Sequence, residues 1–118
     1  MNLSSLSGAE LDFFVAKALE RDQTVTGQDK YGAPILDGRR SLAFLIAKYA
    51  EFPQAWSPST KWEDGGPIIE REGIGIENYG PQWWGAGYEE LPPDTTSYGE
   101  TPLIAAMRCF VASRLGDK

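Results

Sequence analysis

The residues best equipped for chemistry fall in one stretch of this 118-residue chain, Trp56 to Glu72, with the sequence WSPSTKWEDGGPIIERE. Glu63, Asp64, Glu70 and Glu72 lie within it and Glu77 follows shortly after. Two carboxylates facing each other across a cleft, one with a raised pKa, would make an acid/base pair for work on a sugar or nucleotide, and tryptophan rings would give stacking platforms. Carboxylates this close in sequence more commonly form a solvated face. A divalent-metal version is weaker, because no Asp-x-Asp spacing occurs. The chain contains no histidine, which removes Ser-His-Asp and Cys-His nucleophiles and His-ligated zinc. The single cysteine, Cys109, lies between apolar helical positions and reads as a small buried hydrophobe. The expectation is therefore a protein that is not an enzyme, with no catalytic residue, cofactor or metal site.

The same stretch fits binding. Amphipathic Trp56 and Trp62 stand beside Ser57, Ser59, Thr60, Glu70 and Arg71, and Trp84 is a further exposed-aromatic candidate. Trp and Arg are over-represented at interface hot spots, so these eight residues form the candidate binding surface. The plainer reading makes the tryptophans core or boundary aromatics and the charges solvated.

The formal net charge is −6 and the pI about 4.6. That argues against binding nucleic-acid backbones, which calls for clustered Lys and Arg. It is compatible with a basic protein partner, or with an acidic decoy of a nucleic-acid-binding protein. One cysteine cannot close an intramolecular disulfide. No apolar run approaches the roughly twenty residues of a membrane span. The first residues lack a basic region followed by an apolar core, so no signal peptide is expected. These features predict a soluble, cytoplasmic, single-domain protein.

Around the central stretch the elements are unevenly signalled. Ser7 and Glu10 have capping-box spacing, Leu6 and Leu11 that of a hydrophobic staple, and Leu11, Phe14, Val15, Ala18 and Leu19 form one stripe of a helix over residues 8–20. Residues 22–40 suggest an irregular hairpin, with strands near Thr24–Thr26 and Ala33–Leu36 and a turn at Asp37-Gly38. Ser41 caps a second helix in which Leu42, Leu45, Ile46 and Tyr49 recur. Its pattern predicts burial against the sheet or a partner subunit, which leaves homo-oligomerisation open. Within the central stretch, Thr60 and Glu63 have capping-box spacing, Gly65-Gly66 should loosen the turn they start, and Pro67 should open a new segment, helix or strand, with Ile68 and Ile69 inward. Ile74 to Glu77 alternate as a strand, Gly80-Pro81 turns, and Trp83 to Tyr88 return. Trp83 and Trp84 should face opposite ways, one into the core. Residues 89–100 read as a loop. Thr101 and Pro102 open a last helix whose Leu103, Ile104, Met107, Phe110, Val111 and Leu115 form a broad apolar face, with Arg108 and Arg114 toward the dipole's negative end and Gly116 as its stop. The result is an α+β fold: a small antiparallel sheet of two hairpins packed against N- and C-terminal helices, with an additional central helix.

Three segments, LSGAELDFFVAKALE from Leu6, SPSTKWEDGGPIIERE from Ser57 and TPLIAAMRCFVASRLGD from Thr101, resemble in order the NinX-like family of small phage and prophage proteins of unknown function. Residues 22–55 depart from that pattern. The resemblance implies phage origin and action in a bacterial host's cytoplasm. It implies no known reaction and carries over no catalytic residue. The expected function is that of a phage accessory protein binding a host or phage macromolecule, in the first instance a protein.

Overall fold

In a computed structural model, residues 6–49, 55–81, 83–88 and 97–115 are described. Four helices and two three-stranded antiparallel sheets are found among them. Helix α1 (Gly8–Glu20) leads into β1 (Val25–Gln28), β2 (Pro34–Leu36) and β3 (Arg39–Arg40), which pair in that order. Helices α2 (Leu42–Lys48) and α3 (Trp62–Glu72) follow, then β4 (Ile74–Gly80), β5 (Trp83–Tyr88) and β6 (Ser97–Gly99), again paired in order, and α4 (Pro102–Leu115). The α+β class holds, but the two hairpins belong to two separate sheets, each with a third short strand. Asp37 and Gly38 both have positive φ, as a two-residue type I′ turn requires, and they join Leu36 to Arg39. Strand β6 forms inside the segment read as loop, by pairing Ser97–Gly99 with the free edge of β5. Residues 89–96 of that loop, like Gly116, lie outside the described residues.

The main core joins α1 and α4 to the β4–β5 face and α3. Leu11, Val15 and Ala18 meet Met107, Phe110 and Val111, with Ile68, Ile74 and Ala86 closing the cluster and Phe14, Ile69 and Trp84 at its edge. Complete burial of side chains this large contributes on the order of 1.5–3 kcal/mol each, so the chain's two ends hold the fold together. The α4 face is narrower than its spacing suggests: Leu115 is 39% exposed. Helix α2 packs on α1 rather than on a sheet, burying Ala43 and Ile46 against Ala16 and Phe13 and leaving Tyr49 outside.

Caps divide the helices. Thr101 Oγ1 accepts from the Ile104 amide at 3.1 Å and Ser41 Oγ from the Phe44 amide at 3.1 Å, as expected. Ser7 makes no side-chain cap. Neither does the Thr60–Glu63 box form: α3 begins one residue later, with Lys61 at its N-cap. The Thr60 hydroxyl instead donates to the Ser57 carbonyl at 3.4 Å.

Helix α3 is the largest departure. Gly65, Gly66 and Pro67 lie inside one continuous helix that ends where Gly73, at φ 71°, donates its amide to the Ile69 carbonyl. Packing overrides local propensity here. Gly65 is buried because α3 is pressed against the Ser57–Thr60 turn: an added Cβ would run into the Pro58 carbonyl oxygen and stand 2.8 Å from Leu103 Cδ2. At Gly66 the nearest atom to such a Cβ is Trp62 Cε3, at 3.9 Å.

The two neighbouring glycines should therefore respond in opposite directions. Gly65→Ala is expected to lower unfolding free energy by about 1–3 kcal/mol, and Gly66→Ala to raise it by up to about 1 kcal/mol. Urea titration followed by circular dichroism reads both, and equal effects would contradict the close approach at Gly65.

Candidate functional site

The central stretch is built on the turn Ser57–Thr60, closed by the Thr60 and Lys61 amides donating to the Ser57 carbonyl at 3.0 and 2.8 Å. Two carboxylates clamp it. Asp64 Oδ2 accepts from the Ser57 amide at 2.8 Å, seven residues back and not the Thr60 amide that a capping box would reach. Asp12, on α1 and only 2% exposed, accepts from the Ser59 amide at 2.9 Å. Ser57 and Ser59 are buried. The structure places these two members of the candidate surface inside the fold rather than on its exposed face.

The other candidates fall in three places. Trp84 is half-buried and packs at the edge of the main core; the Trp83 side chain lies outside the described ones. Trp56 is half-buried between the two core clusters, and with Arg71 it lines a cavity of about 340 Å³. Thr60, Trp62 and Glu70 are exposed, and Trp62, at 56%, is the most exposed of the three tryptophans whose side chains are described. On α3, Trp62, Gly66 and Glu70 succeed one another along one face, because positions four apart are neighbours on a helix. Glu63 and Pro67 widen that face and are also exposed.

The carboxylates of the stretch do not converge. Asp64 is held by the turn. Partial burial pulls the Glu72 pKa up, but Arg114, whose Nη2 lies 2.6 Å away, and Arg71 outweigh it and hold the carboxyl below the usual range. Glu63, Glu70 and Glu77 are exposed. The raised carboxyl is Asp12: burial pushes it up, Ser59 pulls part of that back, and nearby Asp64 adds to the rise. Burial drives the Cys109 thiol up to about 11, far from a thiolate at neutral pH. Among the described residues no three His, Cys, Asp or Glu are grouped to hold a metal ion.

Two arginines on the cavity rim, Arg39 and Arg40, were not legible as site residues, because only tertiary contact brings β3 near Arg71. The fold is a small α+β domain, with its chemistry-bearing side chains spread over one helix and the cavity beside it. The chain belongs to the family described as bacteriophage P22 NinX, whose model matches residues 2–114. No curated protein matches it. Among the described residues no helix is long and apolar enough to cross a membrane.

Asp12 gives the turn a pH signature. Its pKa is raised in the fold, so the folded state holds the proton more tightly than the unfolded chain. Its contribution is most favourable below the unfolded value, near 3.8, and declines as pH rises through the folded one. Asp12→Asn keeps an oxygen for the Ser59 amide and removes that decline. The variant's thermal midpoint minus the wild type's should grow between about pH 3 and about pH 6; a difference independent of pH would reject a burial-shifted Asp12.

Proposed function

We propose that the chain is a non-enzymatic phage accessory protein that binds a host or phage protein, with Trp62 at the centre of the contact. The observation that carries this reading is a large indole left 56% exposed on a helix that the turn clamp holds in place. Trp is the residue type most enriched among hot spots, and a rigid anchor loses little entropy when it binds. Glu63 and Glu70 flank the indole, and the whole chain is acidic. A fitting partner offers an apolar notch rimmed by Lys or Arg.

A carboxylate-driven reaction finds less support. Asp64 and Glu72 are engaged in structure, and among the described residues the carboxyl with a raised pKa is buried under the Ser59 amide. A hydroxyl or thiol nucleophile finds no imidazole to activate it in a chain without histidine.

Affinity capture from infected host cells followed by mass spectrometry tests the proposal. Trp62→Ala should leave the thermal midpoint nearly unchanged, because so much of the ring is in solvent. It should weaken retention of the partner by about 2 kcal/mol or more, roughly thirty-fold in Kd. Undiminished capture by the folded variant would reject Trp62 as the anchor.

A further inference from the structure

The cavity of about 340 Å³ opens where the end of α1, the β2–β3 hairpin, the start of α2 and the end of α3 meet. Three arginines are among the residues that line it, Arg39 and Arg40 from β3 and Arg71 from α3. Among the described lining residues the one carboxylate, Glu20, is engaged elsewhere: it accepts from the Ser41 hydroxyl at 2.6 Å and the Ala43 amide at 3.0 Å, tying α1 to the start of α2. Two of the arginines are oriented by a carboxylate through Nε, Arg40 by Asp29 at 3.1 Å and Arg71 by Glu72 at 3.2 Å. Arg39 makes no ion pair among the described residues. The remaining described lining is Leu19, Leu36, Leu42 and Trp56, with the polar Gln23 beside them.

An opening that sets arginines against leucines and an indole selects an anion joined to a flat apolar body. The guanidinium fork matches phosphate and carboxylate oxygens in pairs, and an indole stacks on any base. The volume lies at the low end for small-ligand sites, about 300–1,000 Å³, which suits one small molecule rather than a polymer strand. We infer that this cavity binds a nucleoside monophosphate, its phosphate on Arg39 and Arg71 with Arg40 beside them, its base against Trp56 and the leucines. An acidic peptide offers the same charge without a flat ring to fill the apolar wall, so the test separates the two.

This site is distinct from the Trp62 face. Trp62 and Arg71 are separated by about 13 Å of helix rise and about half a turn around α3, so either can fail alone. The experiment is calorimetric titration of the full chain with AMP, GMP, CMP and UMP, with adenosine, inorganic phosphate and a short Asp/Glu peptide in parallel. At least one nucleotide should saturate, roughly tenfold or more tighter than phosphate or nucleoside alone. Arg39→Glu and Arg71→Glu should each weaken it roughly tenfold or more, and Trp62→Ala should leave it unchanged. Both arginines are exposed, so the variants should fold, and their thermal midpoints report it. Absence of saturation up to millimolar nucleotide overturns the proposal. So do phosphate or the peptide binding as tightly as the nucleotide, and an affinity that neither arginine variant alters.

Discussion

The constraint on which the structure depends is the clamping of the Ser57–Thr60 turn by two carboxylates from different parts of the chain. Asp64 belongs to the helix that follows the turn, and Asp12 to a helix 47 residues before Ser59. Burying Asp12 is unfavourable by itself, as its raised pKa records. The cost is offset because the buried Ser59 amide would otherwise lack a partner, and an unpaired buried donor is itself costly. With the turn fixed, Gly65 can lie against the Pro58 carbonyl and Leu103 can reach both. Helices α1, α3 and α4 are thereby registered to one another at a single point.

The far end of α3 is fixed by charge. Glu72 is gripped by Arg114, which also reaches Asp22 just beyond α1 at 3.5 Å, and the Arg21 guanidinium donates to the Arg114 carbonyl. Nearer the start of α4, Arg108 donates to the carbonyls of Leu6 and Tyr98, each at 2.8 Å, binding the beginning of the chain and β6 to the same helix. These arginines therefore do more than complement a helix dipole, which is all their sequence positions suggest. A charged donor bonded to two carbonyls contributes more than an exposed ion pair. Helix α3 is held at both ends, so Trp62 and Arg71 stand at fixed points on its two borders.

How much of this was legible follows from where each signal lives. Helices α1 and α4 carry theirs locally, in an apolar stripe and, for α4, in the Thr101-Pro102 start, and the sequence reading matches their limits closely. The Asp37-Gly38 turn is legible for the same reason. Strands β3 and β6 are two and three residues long and exist only through pairing, so no periodicity marks them. Helix α3 was misread because Gly-Gly-Pro opposes helix by propensity, and the opposing influence, contact with a turn and with Leu103, is tertiary. Ser57 and Ser59 read as ligand contacts because a serine in a tight turn looks the same in sequence whether it stands in solvent or is buried with its amide held by a carboxylate. Trp56 and Arg71 do share a cavity, but Arg39 and Arg40 join them only through the fold.

What the fold does not require is informative in its own right. Gly65 has a packing reason to break the helical rule. Pro67 and Trp62 have none in the core: Pro67 lies in the helix interior, where it supplies no amide to the Glu63 carbonyl, and both are exposed. A sequence selected for stability alone would favour an alanine-like residue at each position. Departures from local consistency that packing does not repay mark functional positions. The clamp spends a buried carboxylate to hold this short, propensity-poor helix in place, and the side chains it displays outward are of little use to the fold.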